Sequence, residues 1–136
     1  MRKKALEEVS SCSSGALVAS DRDDGVVNSL RNNAERAGVA SDIETKVQPI
    51  SALEPPKTPG FIVTNPPYGV RVGDAKKLRN LYAQLGNVLR ARARGYTLAM
   101  LSANAMLEAS LDIPLEEVFR TRNGGIPVRL VKGSIS

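Results

Sequence analysis

Asn65-Pro66-Pro67-Tyr68 follows directly on the apolar run Gly60-Phe61-Ile62-Val63-Thr64. Pro66 and Pro67 lack amide hydrogens and hold the chain stiff, which suits the aiming of hydrogen-bond acceptors. The Asn65 side-chain oxygen and the Pro66 carbonyl can each accept a hydrogen from one planar amino group, orienting that amine and raising its electron density. Tyr68 can then stack on the ring that carries the amine. Without a strand before it, Asn-Pro-Pro would be an ordinary loop opener and Tyr68 a surface aromatic. The preceding run favours the chemical reading, because ligands collect at the carboxyl ends of strands in open α/β sheets.

A second polar residue stands in the same relation to an apolar run: Asp21, after Ala16-Leu17-Val18-Ala19-Ser20. Its carboxylate could accept hydrogen bonds from both hydroxyls of a ribose. Equally, Asp21, Asp23 or Asp24 could cap the helix that follows, and spacing alone does not choose between the two readings. Arg22 reads as a solvated charge. Basic residues follow the Asn-Pro-Pro-Tyr segment at Arg71, Lys76, Lys77 and Arg79, close enough in sequence to its pocket to reach phosphates. Arg90, Arg92 and Arg94 lie at the far end of a helix, where positive charge is favourable in its own right.

The positioning elements follow from periodicity. Val27, Leu30, Ala34 and Ala37 recur at helical steps and Gly38 ends the helix. Ile43 to Val47 alternates as a strand, and Pro49, Pro55, Pro56 and Pro59 break the connection to Gly60–Thr64, which reads as a buried strand. Asp74 is placed to cap a long helix whose apolar stripe runs Leu78, Leu81, Tyr82, Leu85, Val88 and Leu89. Tyr96 to Leu101 reads as another buried strand, Ser102 to Ala109 as a short helix, and Val118 to Arg122 as a strand entering the turn Asn123-Gly124-Gly125. Ile126 to Val131 then returns antiparallel. The order β-α-β-β-α-β-α-β-β predicts an α/β fold: a mostly parallel sheet with helices on both faces and a C-terminal antiparallel hairpin. Residues 1–15 are expected to be an amphipathic helix, Met1 to Ser11, and a Ser-rich joint.

With 136 residues, 42% hydrophobic and 24% charged, the chain is one globular domain at most. One cysteine, Cys12, and no histidine exclude a disulfide framework and a zinc site, so the chemistry expected is metal-free or cofactor-borne. Met1-Arg2-Lys3-Lys4 is followed by Glu7 and Glu8 where a signal peptide would be apolar, and no membrane-length apolar run occurs. A cytoplasmic location is expected. A net charge of +5 and a pI near 9.7 favour a polyanionic partner, although many basic domains bind none.

These residues resemble the Rossmann-like, S-adenosylmethionine-dependent class I methyltransferases with an Asn-Pro-Pro-Tyr motif after their fourth strand. The likeness is nearest to the RNA methylases that carry an upstream THUMP domain. It rests on Ser20-Asp21-Arg22-Asp23, Thr64 to Gly69, Leu81-Tyr82 with Leu85-Gly86, and Thr121 to Leu130 across the Asn-Gly-Gly turn, and so covers roughly residues 16–133. The resemblance implies that Asn65, Pro66, Pro67 and Tyr68 form the catalytic grip on the target amine. It also implies that Asp21, with Arg22 and Asn65, contacts S-adenosylmethionine, Asp21 at the ribose. The implied reaction is RNA base methylation at an exocyclic amine, usually of guanine in rRNA or tRNA, on a base drawn out of its stack. Adenine and protein-glutamine methylases share the motif.

The family's first strand and glycine-rich loop are not found before Asp21. Cys12-Ser13-Ser14-Gly15 lies too close to the next strand, and Gln48-Pro49-Ile50-Ser51 lacks the acid that often contacts the adenine amine. In this fold the first strand lies between the strands ending at Asp21 and Asn65, and a gap there would strand two rows of backbone groups. Residues 16–136 are therefore expected to be the C-terminal portion of a methyltransferase domain. Alternatively, the chain closes the gap by rearranging, by forming a homo-oligomer or by associating with the upstream part. A non-catalytic RNA-binding or association module is the competing reading.

Overall fold

The computed structural model describes residues 15–69 and 73–136. The expected N-terminal helix and most of its joint, together with Arg71, lie outside the described residues. The chain divides into two compact units, residues 1–52 and 53–136.

The first unit is a β-α-β element: β1 (Leu17–Asp21), α1 (Asp24–Ala37) and β2 (Ile43–Val47). The strands pair in parallel from Leu17↔Ile43 to Asp21↔Val47, and the Gln48 amide extends the ladder by donating to the Asp21 carbonyl at 2.8 Å. Val27 and Ala34, seven residues apart on one helical face, are the buried positions of α1. Gly38 ends the helix at φ 73°, where its amide meets the carbonyls of Ala34 and Glu35. Arg31 Nε donates to Thr45 Oγ1 at 2.8 Å and ties the helix to β2.

The second unit contains β3 (Phe61–Thr64), α2 (Ala75–Arg92), β4 (Thr97–Ser102), α3 (Ala105–Leu111), β5 (Glu116–Asn123) and β6 (Ile126–Ser134). The sheet order is β3-β4-β6-β5, with β3 parallel to β4 and the remaining pairs antiparallel. Leu78, Tyr82, Leu85 and Leu89 of α2 are buried, as are Leu107 and Leu111 of α3 and Leu98, Met100 and Val131 of the sheet. The registers Met100↔Val131 and Leu98↔Gly133 put these strand residues on one face. Gly86 lets α2 approach α3 so closely that a Cβ there would lie 2.0 Å from the Leu111 carbonyl oxygen. Arg90 Nη1 donates to the carbonyls of Leu111 and Asp112, filling two acceptors that the end of α3 leaves open.

Three details depart from the sequence reading. β3 is not buried: Phe61 is 76% and Val63 77% exposed. Among the described residues β3 is an edge strand paired only with β4, and its alternate side chains Phe61 and Val63 face outward. Asp74 occupies the position before α2 but makes no capping hydrogen bond, because its backbone is already helical at φ −90°, ψ −9°. It pairs instead with Lys77 at 3.9 Å. The helix α3 starts at Ala105 and not at Ser102, since the Asn104 side chain takes the Met106 and Leu107 amides. Ser102 remains in β4 and is fully buried. The strands form two sheets, and among the described residues β1 pairs only with β2.

Candidate active site

β3 ends at Thr64, so Asn65 is the first residue beyond the sheet at the carboxyl end of its strand. Asn65 is exposed, and its side-chain amide has no hydrogen-bond partner among the described residues. Pro66 is buried and anchors the turn, Pro67 is exposed, and Tyr68 is half-buried. A free amide on a buried, φ-restricted support is suited to gripping a planar amino group.

Tyr68 is held from a distant part of the sequence: Asn123 Nδ2 donates to its hydroxyl oxygen at 2.6 Å. Asn123 closes β5 opposite Ile126, across Gly124 and Gly125 at φ 55° and 82°, the two positive values that a two-residue hairpin turn requires. Arg122 Nη1 braces the turn on the Gly125 carbonyl at 3.0 Å. Upstream, Val118 is an extra residue between the pairs Glu117↔Val131 and Phe119↔Leu130. Such a bulge reverses which face each later side chain occupies, and so sets the face on which Asn123 stands. Asn123 was legible in the sequence as a turn residue but not as the partner of Tyr68.

Tyr82 of α2 is fully buried, and its hydroxyl lacks a hydrogen-bond partner among the described residues. Burial first, then the neighbouring Glu108 and Tyr68, push its phenol from 10.0 up to about 12. Glu108 is itself paired with Arg129, which also reaches Glu117 at 3.5 Å. The hydrogen bond from Arg120 is the main cause holding the Glu117 carboxyl below its ordinary value. Because the fold favours the neutral Tyr82 phenol, its contribution to stability is complete below pH 10 and is lost as pH rises through about 12. Tyr82→Phe is expected to raise stability at neutral pH by about 1 kcal/mol by removing an unsatisfied buried hydroxyl. It should also flatten the alkaline loss of Tm relative to wild type. Thermal melts across that range check this, and a clear destabilisation at neutral pH would show that the hydroxyl has a partner.

In the first unit the capping question is resolved by geometry. Asp23 is the cap, with extended backbone and its carboxylate accepting from the Val26 amide. Asp21 is half-buried; its Oδ1 accepts from the Asp23 amide at 2.8 Å, and Oδ2 has no partner among the described residues. A carboxylate oxygen open at a strand's end fits the hydroxyls of a nucleoside, so the residues present suit the ribose end of the expected cofactor. Arg22 is exposed and unpaired among the described residues, as a solvated charge should be. The two groups of site residues belong to separate units: Asp21 and Arg22 to the first, Asn65 to Tyr68 with Asn123 to the second.

The basic residues differ in their partners. Arg90 and Arg92 hold carbonyls, Arg92 that of Leu53 at 3.1 Å, and Arg94 Nε donates to the Arg90 carbonyl at 3.0 Å. Lys76 and Arg79 are exposed and carry no ion pair among the described residues, which leaves them available to phosphates. No described helix is long and apolar enough to cross a membrane.

The profile of the RMKL-like methyltransferase domain matches residues 1–132. The ribosomal RNA large subunit methyltransferase K/L of Legionella pneumophila (strain Corby) is 34% identical over 130 residues, 96% of this chain and 18% of that protein. The chain thus spans about a fifth of the length of this relative. The crystal structure of SMU.472 complexed with SAH superposes with a TM-score of 0.85 at 22% identity, covering 99% of this chain and 36% of the other. TrmN from Thermus thermophilus gives a TM-score of 0.67 at 22% identity over 88% of this chain and 36% of its own. These likenesses agree with the expected Rossmann-like class I methyltransferase fold.

Proposed function

Since the chain belongs to the RMKL-like methyltransferase domain family, we propose that it provides the target-amine grip and ribose carboxylate of an RNA base methyltransferase. The proposed reaction transfers a methyl group from S-adenosylmethionine to an exocyclic amine, with guanine in rRNA or tRNA as the substrate and the cytoplasm as the setting. The observation that carries the proposal is the unpartnered Asn65 amide at the end of β3, beside a Tyr68 ring held by its own hydrogen bond. Named rRNA methyltransferase relatives and the exposed Lys76 and Arg79 support the choice of RNA.

In this reading Asp21 Oδ2 accepts from the cofactor ribose, with Arg22 at the rim. The Asn65 oxygen and the Pro66 carbonyl accept hydrogen bonds from the two N–H groups of the target amine, and Tyr68 stacks on the base. When bound, S-adenosylmethionine supplies an electrophilic methyl group. The protein contributes orientation: two acceptors turn the nitrogen lone pair toward the attack line and resist the rotation that would spread it back into the ring. A base bound this way is unstacked from its helix.

Two edges also enter the proposal. β1 and β3 each have one unpaired side among the described residues, and unpaired strand edges recruit further strands. The family's first strand and glycine-rich loop would meet that need if supplied by additional polypeptide, and association with a second copy would cover an edge without supplying the loop.

The test is methyl transfer from labelled S-adenosylmethionine to bulk rRNA and tRNA, by this chain and by a longer polypeptide carrying the glycine-rich loop. Nucleoside mass spectrometry then identifies the product. Methylguanosine is expected with the longer polypeptide, with cofactor affinity by titration rising when the loop is present. Methyladenosine would move the assignment to adenine. Cofactor binding with no transfer to any RNA would sink the RNA reading, and an inert longer polypeptide would leave only the non-catalytic alternative.

A further inference from the structure

Building on this reading of the Asn65–Tyr68 segment, we infer that Asn123 is the positioning residue that fixes the Tyr68 ring for stacking on the target base. A stacking ring is useful only when held at one angle, and Tyr68 sits in a loop and is half-buried, so packing restrains it on one side only. The bond from Asn123 Nδ2 at 2.6 Å supplies a second point of attachment, at the far end of the ring from its backbone. Asn123 is the only hydrogen-bond partner of that hydroxyl among the described residues. Backbone and hydroxyl both lie on the long axis of the ring, so the bond fixes where that axis points, and the contacts on the half-buried ring are left to limit rotation about it.

Asn123 is itself firmly held. It faces Ile126 across a tight two-residue turn, Arg122 bonds the Gly125 carbonyl, and the Val118 bulge fixes which face the later residues of β5 occupy. The donor therefore sits at the end of a paired strand whose turn is braced by its own hydrogen bond, the kind of support that pre-organised sites require. The same arrangement gives the Asn-Gly-Gly turn two functions: the glycines reverse the chain, and the asparagine acts on a residue 55 positions away.

The experiment is 19F NMR of the full chain labelled with 3-fluorotyrosine. The chain has three tyrosines, and Tyr→Phe variants assign Tyr68, Tyr82 and Tyr96. In Asn123→Ala the Tyr68 resonance should shift and broaden while those of Tyr82 and Tyr96 stay in place. Guanosine 5′-monophosphate should perturb Tyr68 in the wild type, and Asn123→Ala should weaken that binding by about tenfold, the effect of losing one well-placed hydrogen bond. Tyr68→Phe retains a stacking ring but loses the anchor, so it should show a similar loss. The double variant should be no worse than either single one. Additive losses, or an unchanged Tyr68 signal in Asn123→Ala with nucleotide binding intact, overturn the positioning role alone. A wild-type Tyr68 signal indifferent to the nucleotide overturns the base-binding reading beneath it.

Discussion

Asn65→Ala is expected to lower methyl transfer by about 10²–10³-fold, the loss typical when one pre-organised hydrogen-bonding group is removed from a reacting centre. Cofactor affinity should stay within about twofold in the same variant. The reasoning is local. Asn65 is exposed and its amide bonds to nothing among the described residues, so its removal takes away no hydrogen bond of the fold. In the proposed role, what disappears is one of two acceptors for the target amine, an interaction that matters most as the nitrogen commits its lone pair. The loss should therefore fall on kcat more than on KM for RNA. The measurement is steady-state methylation alongside cofactor titration, in a polypeptide that carries this domain with its glycine-rich loop. A proportionate fall in cofactor binding would refute the assignment of Asn65 to the amine.

The largest effect on stability is expected from Gly86→Ala. An added Cβ would lie 2.0 Å from the Leu111 carbonyl oxygen, 2.7 Å from its carbon and 2.9 Å from its Cα. All three are backbone atoms at the end of α3, so no side chain can rotate away. The helices must part, which opens the Arg90 bonds to Leu111 and Asp112 and loosens the packing of Tyr82, Leu85 and Leu89. Overpacking of this kind costs about 3 kcal/mol or more, enough to consume much of a small domain's stability. Urea denaturation with tryptophan-free detection, such as far-ultraviolet circular dichroism, reads this directly. A shift below about 1 kcal/mol would mean the two helices can slide apart freely.

The elements that were legible in the sequence are those with long, regular patterns. The stripe from Leu78 to Leu89 is a helix with its stripe inward, and Asn123-Gly124-Gly125 is a hairpin turn with the positive φ values it needs. Helix ends and strand environments were less legible. Asp21, Asp23 and Asp24 can all cap by residue type, and only the extended backbone of Asp23 shows which one does. A four-residue apolar strand such as Phe61–Thr64 does not state whether both faces are covered, because coverage depends on other elements. In the candidate site, Asn65 and Tyr68 stood out through an unusual local sequence. Asn123 did not, since no rule of spacing links residues 55 positions apart. Tyr82 was read as core, which it is, but the missing partner for its hydroxyl is a property of the packed interior and not of the helical stripe.

The Tyr68–Asn123 bond also imposes an order in time. During synthesis Tyr68 emerges 55 residues before the side chain that steadies it, and before β4, the strand with which β3 pairs. At a translation rate of about 5–20 residues per second that interval lasts about 3–11 seconds. Throughout it the Tyr68 hydroxyl lacks the partner it has in the folded chain. The Tyr68 hydroxyl thus gains its partner only when the final hairpin has closed, which makes that turn the last step in completing the proposed site.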